Sequence, residues 1–99
     1  MNSLESLWAR RDDILRNAIR HGAHNVRVFG SVARGEATEH SDVDLLVSTT
    51  EHTSPWFPAG LKLDLEQLLG RRVDVVAEDG LYWLYWLLRQ RILRESRPL

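Results

Sequence analysis

Cysteine is absent from the 99 residues, lysine occurs once, as Lys62, and proline three times. Without cysteine there is no disulfide framework, no cysteine nucleophile and no thiolate-ligated zinc or iron–sulfur centre. Long hydrophobic runs are missing too. The longest unbroken apolar stretch, Leu81–Leu88, is far short of the roughly 20 residues that a membrane span needs. The opening segment MNSLESLWARRDD lacks the basic-then-apolar pattern of a signal peptide, so a cytoplasmic location and no membrane are expected. Nor does one sign of charge dominate. The formal net charge is -1, which gives no electrostatic reason to expect nucleic acid. The basic side chains are instead unusual in kind, twelve arginines to one lysine, and arginine favours bidentate phosphate and carboxylate contacts.

The remaining composition is that of a folded chain, 43% apolar and 27% charged. At 11.5 kDa it is expected to form a single domain over residues 1–99. A domain this small buries only part of its surface, so association with a second copy or another protein would add stability.

Apolar spacing of three and four residues predicts a helix from Asn2 to Arg20, with Leu4, Leu7, Trp8, Ile14, Leu15, Ala18 and Ile19 on its stripe. Val26–Phe29 reads as a strand ending at Gly30, and Ser31–Arg34 has room for only one helical turn before Gly35. Val43–Ser48 is apolar enough for a strand buried on both faces. A loop follows over Thr49–Pro58, then a helix over Ala59–Leu69 with Leu61, Leu65, Leu68 and Leu69 inward, and a strand over Arg72–Val76. A last helix is expected from about Gly80 to Arg94. This order predicts an α/β (α+β) sandwich, a small mixed sheet of about three strands flanked by helices. The strands at 43–48 and 72–76, joined through a helix, suit parallel neighbours, whereas the direction of the first strand stays open.

The chemistry-bearing stretch is Gly30-Ser31, ten residues, then Asp42-Val43-Asp44. Residues i and i+2 of a strand share a face, so Asp42 and Asp44 project together with Cα atoms about 6.5–7 Å apart. Like charges at that spacing call for a cation, and hard oxygen ligands select magnesium, manganese or calcium over zinc. Asp74 adds a carboxylate inside the next apolar strand, either as a third ligand or as the ion-pair partner of Arg71 or Arg72. Three converging carboxylates can hold two magnesium ions about 3.5–4 Å apart, an arrangement suited to phosphoryl transfer. At Gly30-Ser31 a strand gives way to a helical turn whose free amides can bind phosphate oxygens, with the Ser31 hydroxyl beside them. Arg34 stands near that turn and can contact a triphosphate or pair with Glu36 or Glu39. His40, just before the acidic pair, reads as solvated loop.

Over VFGSVARGEATEHSDVDLLV the chain resembles the DNA polymerase beta-like nucleotidyltransferase superfamily, and most of all the minimal nucleotidyltransferases of bacteria and archaea. The resemblance implies that Gly30 and Ser31 hold a nucleoside triphosphate. It implies that Asp42, Asp44 and Asp74 ligate two Mg2+ ions, Asp74 also helping to activate the attacking hydroxyl. ATP would be the donor and AMP the group moved. Larger members carry an acceptor-binding domain that is missing here. Minimal members are typically encoded beside small helical HEPN proteins, and some act as antitoxins by adenylylating them.

The stretch Leu81-Tyr82-Trp83-Leu84-Tyr85-Trp86-Leu87-Leu88 is apolar all round, more than one core-facing stripe requires. The helix around Tyr82–Leu93 is therefore the expected partner surface, for a HEPN-type protein or a second copy. Trp56-Phe57 can stack on a nucleotide base or tuck onto the core. The leading expectation is a magnesium-dependent nucleotidyltransferase acting as antitoxin on a tyrosine of its partner. Two rivals are a non-catalytic antitoxin that masks its partner, and a transferase acting on a small molecule or RNA.

Overall fold

The computed structural model describes residues 3–50, 52–78 and 86–99. Its centre is strand β2 (Val43–Thr49), whose alternate residues go to different cores. Val43, Leu45 and Val47 join Val28 of β1 (Ala23–Phe29) and Val73 of β3 (Val73–Ala77) in the larger core. Leu46, on the opposite face, packs with Phe29, Val76, Ile92 and Leu93. Helices cover the two faces unequally. Leu7 of α1 (Ser3–Ala9), Ile14 and Ala18 of α2 (Arg11–Arg20), Val32 of α3 (Gly30–Ala33), and Leu61 and Leu65 of α4 (Ala59–Leu69) all enter the larger core. Helix α5 (Trp86–Glu95) alone covers the other face among the described residues.

The sheet order is β3-β2-β1-β4. As expected, β2 and β3 are parallel neighbours, in the register Asp44↔Asp74. Strand β1 runs antiparallel to β2, and Phe29 pairs with Asp44. Both strand ends that carry the Gly-Ser turn and the acids thus lie at one end of the sheet.

Two expectations are corrected, and a third falls outside the described residues. The first helix is broken at Arg10, whose amide bonds back to Leu7 three residues earlier at φ -106°, ψ 16°. An unbroken 19-residue helix would be about 28 Å long against about 23 Å for a seven-residue strand. The break lets α1 reach α3 while α2 stays on β1. It also leaves Trp8 and Ile19 exposed rather than inward, Trp8 lying under the Arg11 guanidinium at 5.3 Å. The sheet has four strands, not three: β4 (Arg97–Pro98) pairs with β1. Proline is tolerated there because the strand is short and at the edge. The described part of the last helix begins at Trp86, so the expected start near Gly80 and the residues Tyr82, Trp83 and Tyr85 lie outside the described residues. Helix α4 has its expected bounds and ends on Gly70 in the left-handed region, φ 65°.

Candidate active site

Gly30 closes β1 at φ +73°, a backbone setting that side-chain-bearing residues rarely adopt. A Cβ added there would collide with Asp44 Oδ2, with Asp44 Cγ only 3.2 Å away. Glycine is therefore required twice, for the turn and for the approach. The approach brings the backbone of the Gly-Ser turn against the carboxylate of β2. Ser31 opens the single turn of α3 and is half-buried. Its hydroxyl bonds to no other described residue, and its carbonyl accepts from the Glu36 amide at 2.9 Å.

The three acids stand on adjacent backbone. Val43 donates to the Arg72 carbonyl at 2.9 Å, which ties the start of β2 to the approach to β3. Asp44 and Asp74 are register partners on strands about 4.8 Å apart. Asp42 lies one residue before β2, exposed, without a hydrogen bond or ion pair to a described residue. Asp44 is half-buried. Burial first, then the charges of Asp74 and Asp42, push its carboxyl up to about 6, with Glu95 adding to the effect and Arg34 opposing it. Burial is the main cause, and the charges of Asp74 and Asp42 add to it in the same direction.

Asp74 does not pair with Arg71 or Arg72. Its carboxylate lies 3.8 Å from Lys62 Nζ, which reaches round the sheet edge and donates to the Val73 carbonyl at 2.7 Å and to Glu66 at 3.1 Å. Among the described residues no three His, Cys, Asp or Glu side chains are gathered into a coordinating cluster. The donor set nonetheless fits a hard cation. It is all carboxylate oxygen, Asp42 has no cationic partner among the described residues, and the ionised form of Asp44 is disfavoured until positive charge arrives.

Arg34 pairs with Glu36, one of the two local partners expected, and also with Glu95. Its Nε donates to Glu36 at 3.1 Å and its Nη1 to Glu95 at 3.2 and 3.3 Å, and these acids raise its pKa. Glu39 is not its partner but lies 3.8 Å from the exposed His40 ring, which agrees with a solvated histidine. Trp56 is 78% exposed and Phe57 packs on the larger core. Both precede α4 at the far end of the sheet, where Ser54 donates to the His21 carbonyl. Five strand residues, about 16 Å, separate that end from Asp44, so Trp56 is not positioned to stack on a nucleotide at these acids.

Besides Lys62, two further residues of this site are not legible in the sequence. Arg71 donates to the carbonyls of Thr38 at 3.0 Å and Ser41 at 2.7 Å, and so fixes the loop that delivers Asp42. Glu95 accepts from the Gly30 amide at 3.0 Å. A basic residue after the Gly70 turn and an acid at the end of α5 carry no local signal of either role.

Known proteins similar to this chain identify its family. Protein adenylyltransferase MntA of Thermococcus cleftensis is 42% identical over 81 residues, 82% of this chain and 80% of the relative. A solved structure provisionally described as a minimal nucleotidyltransferase is 56% identical, with a TM-score of 0.81 over 100% of this chain and 97% of the other. A crystal structure of a variant of the toxin–antitoxin pair MntA–HpeT matches at 25% identity and a TM-score of 0.66, over 93% of this chain and 70% of the other. Residues 10–99 match the nucleotidyltransferase domain, and the chain belongs to that enzyme family.

Proposed function

We propose that this chain is one minimal domain that moves AMP from ATP to a tyrosine hydroxyl of a small helical HEPN-type toxin, and so acts as an antitoxin in the cytoplasm. The observation that carries the reading is the contact between the Gly30 backbone and the Asp44 carboxylate. The Gly-Ser turn and the acids lie side by side, which supports phosphate binding and phosphoryl transfer at one place. Being 42% identical to an adenylyltransferase supports AMP as the group moved, and the MntA–HpeT pair supports a toxin as the acceptor.

The roles follow from position. The Gly30 and Ser31 amides and the Ser31 hydroxyl bind the triphosphate, and Arg34 holds its outer oxygens. Asp42, Asp44 and Asp74 would hold magnesium, which would offset the charge of acids and phosphates and lower the pKa of the attacking hydroxyl. The acceptor oxygen bonds to the α-phosphorus, the bond to the β-phosphate oxygen breaks, and pyrophosphate leaves with that electron pair. Asp74, the most exposed of the acids within a strand, receives the hydroxyl proton. A tyrosine suits this step because its pKa of about 10 makes it easier to ionise than serine.

Docking on the partner would orient the acceptor hydroxyl against the α-phosphate. Leu87 and Leu88 on α5 are 73% and 44% exposed and belong to the proposed docking face. Thermal melts test the nucleotide reading. Magnesium and ATP together should raise the melting temperature more than ATP alone, with about 2.7 kcal/mol of stabilisation at a hundredfold excess over Kd. No magnesium-dependent shift at millimolar ATP would contradict it.

A further inference from the structure

Glu95 sits on the donors that the triphosphate would use. Its Oε1 accepts from the Gly30 amide at 3.0 Å and from Arg34 Nη1 at 3.3 Å, and its Oε2 accepts from the same Nη1 at 3.2 Å. The side chain is only 16% exposed. One carboxylate thus engages the first amide of the phosphate turn and the guanidinium beside it. The geometry is that of an anion bound at the turn, supplied by the chain itself from α5.

The charge around it makes this placement conditional. Glu95 adds negative charge to a site where Asp42 and Asp74 already act on Asp44. Its hold rests on the Gly30 amide and on Arg34, a donor that a phosphate oxygen engages as well or better. Both anions cannot occupy the same two donors. A second seat lies on the same helix, since Arg91 Nε is 3.8 Å from Glu95 Oε2 and is largely exposed. Rotation of the Glu95 side chain toward Arg91 would release Gly30 and Arg34 without moving α5.

We propose that Glu95 is a built-in competitor for the nucleotide: its carboxylate occupies the Gly30 amide and Arg34, and the triphosphate binds by displacing it. The inference rests on the nucleotide reading above and adds to it a gate on affinity. Nucleotide binding is weakened by the fraction of chains in which Glu95 holds the seat. Because Glu95 belongs to α5, whose Leu87 and Leu88 are exposed, a protein docked on that helix can alter the occupancy of the seat.

Isothermal titration of ATP with magnesium into the wild-type chain, Glu95→Gln and Glu95→Ala tests this. Glu95→Ala should bind about tenfold tighter, equivalent to about 1.4 kcal/mol. Glu95→Gln should fall between, because its amide oxygen still accepts from Gly30 but offers Arg34 no charge. The Gln variant keeps the side-chain volume and carries the test should the Ala variant fail to fold. Equal or weaker binding by the folded variants would overturn the proposal and make Glu95 a support for Arg34 instead. Absence of ATP binding by all three chains would contradict the nucleotide reading itself, and the gate with it.

Discussion

Gly30 and Asp44 are packed so closely that no side chain fits at residue 30 without displacing the carboxylate. The phosphate turn and the acidic strand therefore form one unit rather than two neighbouring features. Gly30→Ala should lower nucleotide transfer by about 100-fold, since a misplacement near 1 Å at a reacting centre has that effect. Gly35→Ala is the control. Gly35 has a similar φ, +75°, but an added Cβ there meets nothing within 4 Å. Both variants should be destabilised by about 1–2 kcal/mol through backbone strain. Transfer assays beside denaturation curves check the pair, and equal loss of transfer in both would remove the special role of the Gly30–Asp44 contact.

Asp44→Asn should make the chain more stable at neutral pH. The Asp44 carboxyl is raised from 3.8 to about 6 in the fold, first by burial and then by Asp74 and Asp42. Between about pH 4 and 6 the folded chain therefore holds a proton that the unfolded chain has released. Stability from protonated Asp44 is complete below pH 4 and lost as the pH rises through 6. The Asn variant avoids that loss. The two chains should be alike near pH 4 and differ by about 1 kcal/mol at pH 7, after allowance for solvent screening. Urea denaturation at four pH values measures the gap. A gap independent of pH, or a variant less stable at pH 7, would contradict the raised Asp44 carboxyl.

Leu87→Glu and Leu88→Glu should leave the fold nearly unchanged, within about 0.5 kcal/mol, because both side chains are exposed. They should weaken partner binding by at least about tenfold through loss of apolar contact and burial of charge. Titration of the partner, with ATP titration as a control, checks this. Unaltered partner affinity would place the docking face elsewhere.

Much of this molecule is legible in its sequence because local patterns decide it. Val43–Thr49 is an apolar run long enough for a strand, and Ala59–Leu69 has a helical stripe and a Gly70 stop. The Gly30, Asp42 and Asp44 cluster is legible because its spacing spans one hairpin-like unit, β1 to β2. The break at Arg10 is not, since Leu7 and Ile14 are both buried and seven apart, as one continuous helix would have them. Only the reach of α1 to α3 requires the break. Strand β4 has two residues and a proline, too few to show a period. Glu95 meets Gly30 across 65 residues, and Lys62 meets Asp74 around a sheet edge. Contacts of that kind arise from packing, which no local pattern encodes.

Mass spectrometry of a HEPN-type partner co-expressed with this chain reads the transfer of AMP itself. The partner should gain AMP on a tyrosine with the wild-type chain and remain unmodified with Asp44→Asn. A partner that carries no AMP with the wild-type chain, yet is neutralised equally well by Asp44→Asn, would contradict transfer as the mechanism and leave binding alone to explain the effect.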